Sequence, residues 1–184
     1  MKSLYIQDKI TYDGSQLHSL HGYLKYHVLG DSILAWVGPC QIPFIHMVDG
    51  EDLIAQEKIQ GDEMLHFIIE VFHQNLFSAV ILQRLFASIV QQEIYQITQI
   101  YLARKGDDLY FNDQKLSISI ASQSPISIMI HFAVNVTNEG TPVKTCSLKD
   151  FKINENQFAH RIMNLFTEEY QSILQATMKV RPLN

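Results

Sequence analysis

The sequence predicts an α+β fold, a mainly antiparallel sheet packed by helices, and three observations carry that expectation. Side chains alternate with period two over residues 114–121 and 126–136. Two long stretches, 76–95 and the segment that starts at Asn154, instead keep apolar positions at helical spacing. Short strand-like runs succeed one another through 97–136, separated by turns rather than helices, which is the pattern of consecutive antiparallel strands. The 184 residues contain no repeat and no linker rich in Pro, Gly or Ser, so they read as a single domain over 1–184.

Each element has a local reason. Asp13 with Gln16 has the form of a capping box, and Leu17, Leu20, Leu24 and Val28 share one helical face up to Gly30. Residues 33–37 read as an apolar strand ended by Gly38-Pro39. Asp49 is the expected cap of a short helix over 51–58. Residues 65–72 read as a strand, and 76–95, free of Gly and Pro, as a long helix. Strands are expected at 100–102 and 108–111, with Asn112-Asp113 turning into a strand over 114–121. Ser122 to Pro125 turns again into 126–136. Asn154 and Gln157 cap the final helix, whose apolar face is Phe158, Ile162, Phe166, Tyr170 and Ile173.

Composition narrows the function classes. Lys+Arg 14 against Asp+Glu 19 gives a net charge of −5 with no basic run, so nucleic acid is not an expected partner. No apolar run approaches the ~20 residues that span a bilayer, and residues 1–9 lack the apolar core of a signal peptide. Cys40 and Cys146 stand in no metal or redox spacing, as reduced thiols in a cytoplasmic protein do. His18 and His21 lie at i, i+3, but no third ligand is indicated, so no metal is expected. There is no nucleophile elbow, P-loop or dinucleotide-binding turn.

The strands hold the candidate site. On 114–121, Leu116, Ile118 and Ile120 share one face, with Lys115, Ser117, Ser119 and Ala121 on the other. On 126–136 the even positions are apolar, and Ser127, Met129, His131, Ala133 and Asn135 lie opposite. If Ile118, Ile120, Ile128 and Ile130 all pack on the helices, then Lys115, Ser117, Ser119, His131 and Asn135 come together on a face of small and polar residues. Such a face is either solvated surface or a ligand site with room above the sheet. Arg84, in an otherwise apolar helix, is expected to be buried against an anion: either a carboxylate such as Glu70 in a structural pair, or a ligand.

Three segments also resemble a known family. Asp107-Asp108-Leu109-Tyr110-Phe111-Asn112-Asp113-Gln114-Lys115-Leu116 resembles the N-D-L-Y-…-K-L hairpin of biotin– and lipoate–protein ligases. Residues 130–136 are similar to the G-I-N-V strand that follows it in biotin ligases, and 35–41 to the V-I-G-R-x-Q turn of lipoate ligases. The whole chain also resembles a small uncharacterised family that shares this fold. The resemblance implies a biotin/lipoate-ligase-like (class II synthetase-like) fold with ATP as a candidate cofactor. It implies that Lys115 contacts the acyl carboxylate and adenylate phosphate, beside Asp108, Asn135 and Gln41. The chain departs from the pattern in lacking both the glycine- and arginine-rich adenylate loop and R-x-x-G-G-G-A, with only Lys58-Ile59-Gln60-Gly61 before the 65–72 strand.

The leading expectation is therefore a binding protein for a small carboxylate or nucleotide, with Lys115 and Asp108 as catalytic candidates for acyl or adenylyl transfer. Arg84, Ser117, Ser119, His131, Asn135 and Gln41 are the ligand-binding candidates. The alternatives are a non-catalytic protein that kept the fold, and a hydrolase or lyase using His131 with an acid. A homodimer is left open.

Overall fold

The computed structural model describes residues 1–56 and 58–183. Its elements, in order, are β1 (Lys2–Tyr5), α1 (His21–Tyr26), β2 (Ser32–Ile42), a 3-10 turn (Phe44–His46), α2 (Gly50–Ala55), β3 (Ile59–Phe72) and α3 (Leu76–Thr98). Then follow β4 (Ala103–Lys105), β5 (Asp108–Phe111), β6 (Gln114–Lys115), β7 (Ser117–Gln123), β8 (Ser127–Asn135) and α4 (Glu155–Met178). Five strands form the main sheet in the order β1-β2-β3-β8-β7, antiparallel except for the β1–β2 pair. Strands β4, β5 and β6 form a small second sheet.

The caps act as their residue types suggest. Asp49 accepts from the amides of Glu51 and Asp52 at the start of α2, and Asn154 accepts from Gln157 at the start of α4. Helix α2 ends at Ala55, earlier than residue 58, and Glu57 within the expected span lies outside the described residues. The capping box at Asp13 forms locally, with Ser15 donating to Asp13 and the Asp13 amide to Gln16. No long helix follows. Gly14 and Leu20 take left-handed backbone, φ 87° and 65°, and the Leu20 amide is drawn 2.8 Å from the buried carboxylate of Glu70. That tertiary bond outweighs the periodicity, so α1 is one and a half turns long and Leu24 is exposed.

Strand β2 does not stop at Gly38-Pro39. It bulges there and runs on to Ile42, because Pro39 sits where the ladder is already irregular. Gly38 is needed for a close approach: a Cβ there would lie 2.1 Å from the carbonyl oxygen of Ile10. The strand expected at 100–102 lies three residues later, since Leu102 is buried and Gln91 holds its carbonyl at 2.6 Å.

The main core lies between the sheet and α3 and α4. Phe86 sits at its centre, edge-on to Phe67, Phe132 and Phe166, each with centroids 5.1 Å away. A second core on the opposite face is closed by the N-terminal segment, with Ile6 and Tyr12 over Leu34, Trp36, Met64, Ile68 and Ala133.

The register of β7 against β8 corrects the expected faces. Ile118 lies opposite Ala133 and Ile120 opposite His131, so residues of unlike parity share a face. Ile128, Ile130, Phe132 and Val134 do pack on the helices, but Ile118 and Ile120 lie on the other side. The cause is the four-residue connection between the paired Gln123 and Ile128, which shifts the pairing by one and turns every β7 side chain over.

Candidate functional site

Lys115 ends the β5–β6 hairpin, and its backbone is fixed from three directions. Its amide donates to Lys144 O at 3.0 Å, while its carbonyl accepts from Cys146 N and from the Asn135 side chain, each at 3.1 Å. Asn135 donates a second bond to Cys146 O, so its amide protons knit β8 to the hairpin instead of awaiting a ligand. The Lys115 ammonium lies 2.8 Å from Asp108, and Tyr110 donates to the same carboxylate. Desolvation works against the Lys115 charge, but the hydrogen bond and charge of Asp108, aided by Tyr110 and Asp107, outweigh it and raise the lysine pKa. The side chain is 30% exposed, which keeps it within reach of solvent and of a ligand.

The two serines are occupied on the helix side of β7. Ser117, fully buried, accepts from the Leu109 amide at 3.0 Å and so fastens β5 to the main sheet. Ser119 donates to Asp107 and accepts from Gln83 of α3 at 2.8 Å. Arg84 is paired with Asp107 at 3.4 Å, not with Glu70, and is only half-buried, so the expected burial is corrected while the carboxylate partner stands. Glu70 is instead buried between the Leu20 amide and the Ser127 hydroxyl.

Asp107, Asp108, Lys115, Ser117, Ser119 and Asn135 line one cleft of about 360 Å³, closed on its far side by α2 and by residues 141–145. His131 does not join them. The register shift places it with Tyr12, Ile118 and Ile120 around a small cavity of about 40 Å³ that adjoins the cleft through Asp49, Asp52, Ile59, Ile118 and Ser119. Gln41 is exposed on β2 and lines neither space.

Sequence reading missed His66. It is fully buried on β3, 3.1 Å from Nε2 of His131 through its Nδ1 and 3.1 Å from Gly38 O through its Nε2. Trp36 and Tyr12 stack against it, and Tyr12 covers the ring of His131 at 3.6 Å between centroids. Burial holds the His66 pKa at about 4 and, aided by the neighbouring ring, holds that of His131 well below its usual value, so both rings are neutral near pH 7. Burial likewise pushes the Cys40 thiol up to about 12. A polar residue in the otherwise apolar run from Met64 to Ile69 was the one signal for His66.

The described residues hold no cluster of three or more His, Cys, Asp or Glu able to bind a metal, and no helix long and apolar enough to cross a membrane.

Known proteins give this geometry a context. A protein of unknown function from Pyrococcus horikoshi has the same structure, with TM-score 0.95 and 36% identity over 99% of this chain and 98% of that one. An uncharacterized protein of Methanocaldococcus jannaschii is 28% identical over 100% of this chain and 86% of its own length. The biotin protein ligase from Aquifex aeolicus, solved in complex with biotin and ATP, superposes with TM-score 0.61 at 13% identity, over 89% of this chain and 68% of that one. The fold is thus that of the biotin and lipoate protein ligases. The chain itself belongs to the family described as Domain of unknown function (DUF366), whose model matches residues 1–181.

Proposed function

We propose that the chain binds a small carboxylic acid in the cleft at Lys115, and that acyl transfer is the chemistry this site would serve. The observation that supports it best is the Lys115–Asp108 pair: a protonated ammonium, seven-tenths covered, on the wall of a cleft large enough for a small metabolite. A ligand carboxylate approaching that ammonium gains a charge-assisted hydrogen bond in a partly dry setting. Asp107, tied down by Arg84, Gln83 and Ser119, keeps the hairpin beside it in place.

A triphosphate fits less well. The cleft is lined by Asp49, Glu51, Asp52, Asp107 and Asp108 against Lys58 and Lys115, an excess of negative charge that repels a polyanion. The same excess supports the second reading, a binding protein without catalysis, in which Asp108 simply holds Lys115 until a carboxylate shares it.

Calorimetric titration with octanoate, lipoate, biotin and ATP tests the proposal. One of the acids is expected to bind, and Lys115→Ala should weaken it at least about tenfold, roughly 1.4 kcal/mol, without altering the melting temperature by more than a few degrees. Equal affinity of wild type and variant for every acid overturns the assignment. ATP binding more tightly than all three acids overturns the preference for a carboxylate.

A further inference from the structure

We infer that the small cavity beside the cleft receives the hydrogen-bond-donating end of the ligand, a hydroxyl or N–H group, against Nδ1 of His131. The inference deepens the small-molecule reading above, but does not depend on what Lys115 binds.

Gly38 O can only accept, so Nε2 of His66, 3.1 Å away, must carry a proton. In a neutral ring that leaves Nδ1 of His66 bare, and the nitrogen facing it, Nε2 of His131, must then donate across the 3.1 Å contact. His131, also neutral, is left with a bare Nδ1. The His131 ring lines the cavity, and its one N–H is already spent, so the nitrogen it has left for an occupant is an acceptor.

The other polar groups around the cavity agree. His46, whose Nδ1 donates to Asp13 O at 2.9 Å, also lines the cavity. Asp49, whose carboxylate accepts from the amides of Glu51 and Asp52, also lines the cavity and supplies no donor. Tyr12 stays a neutral phenol because burial raises its pKa, and a hydroxyl serves donors and acceptors alike. The Ser119 hydroxyl is already taken up by Asp107 and Gln83, and the remaining walls are Ile42, Met47, Val48, Ile59, Ile118 and Ile120, which reward no polar group that does not reach a partner. Size sets a second limit. A cavity of about 150 Å³ holds benzene, so 40 Å³ holds an end group of about two non-hydrogen atoms and not a fused ring.

The test is nitrogen NMR on protein labelled with ¹⁵N-histidine, with methanol and methylammonium as donor probes and acetonitrile as the acceptor-only control. In the free protein at pH 7, both His66 and His131 are expected as Nε2–H tautomers. Each donor probe should then shift the bare Nδ1 resonance of His131 upfield in a saturable way. At no more than about 1.5 kcal/mol per non-hydrogen atom, half-saturation should come at no less than about 6 mM. Acetonitrile should leave that resonance in place. Ile120→Trp, on the edge strand and half-buried in the wild type, should fill the cavity and abolish the shift while the tautomers remain.

A proton found on Nδ1 of His131, an equal shift with acetonitrile, or no shift with either donor up to about 0.5 M in intact folded protein overturns the inference. A shift that survives in Ile120→Trp moves the contact elsewhere and overturns it too. The probes still respond in Lys115→Ala, so a failure of the carboxylate reading and a failure of this one are told apart.

Discussion

Acidification should unfold this protein through its buried histidine pair, and His66 allows the effect to be sized. Unfolded, the ring titrates near 6.5; folded, burial holds it at about 4. Because the folded state resists the proton, the stabilisation is complete above the unfolded pKa and is lost as pH falls from 6.5 towards 4. Linkage across that window gives a loss of about 2 kcal/mol from His66 alone between pH 7 and 4.5. The lowered pKa of His131 adds a loss of the same sign. That is a sizeable part of the 5–15 kcal/mol typical of a domain. Urea denaturation at the two pH values, in wild type and in His66→Gln, isolates the term. Carboxylates such as Asp13 and Asp150, whose pKa values are lowered by their hydrogen bonds, contribute a parallel loss that cancels in the comparison. The wild type should therefore lose about 2 kcal/mol more than the variant on going to pH 4.5. Equal losses in both would refute the reasoning, because they would mean that His66 is hydrated or already charged in the fold.

Three further outcomes follow from packing and caps. Gly38→Ala should cost at least about 3 kcal/mol, since the new methyl meets the Ile10 carbonyl at 2.1 Å; a red-shifted Trp36 fluorescence would show the N-terminal segment lifting off. Phe86→Ala should cost about 3–5 kcal/mol in urea denaturation, because three rings lose their common neighbour; a cost below 1 kcal/mol would contradict the central place given to Phe86. Asn154→Ala should cost about 1 kcal/mol, with Asn154→Asp close to neutral, since α4 loses the bond to the Gln157 amide only in the first case.

The sequence by itself determined the elements whose cause is local. Helices α3 and α4 follow from their apolar spacing, the starts of α2 and α4 from Asp49 and Asn154, and the β5–β6 hairpin from the Asn112-Asp113 turn. Alternation also located the apolar, helix-facing side of β8. The resemblance at 107–116 located Asp108 and Lys115, which the hairpin brings within 2.8 Å. What needed the tertiary structure is everything that depends on which chain lies opposite. Period-two alternation says which residues share a face of one strand but not which face of the next strand they join, and a shift of one residue moved Ile118 and Ile120 to the side of His131. What interrupts the helix expected after Asp13 is the bond of the Leu20 amide to Glu70, fifty positions away. The polar pair of the second core was legible as two unrelated histidines. Only the antiparallel pairing of β3 with β8, and the N-terminal segment folded over both, set His66 beside His131 and shut them from water, and exclusion from water is what holds both rings neutral.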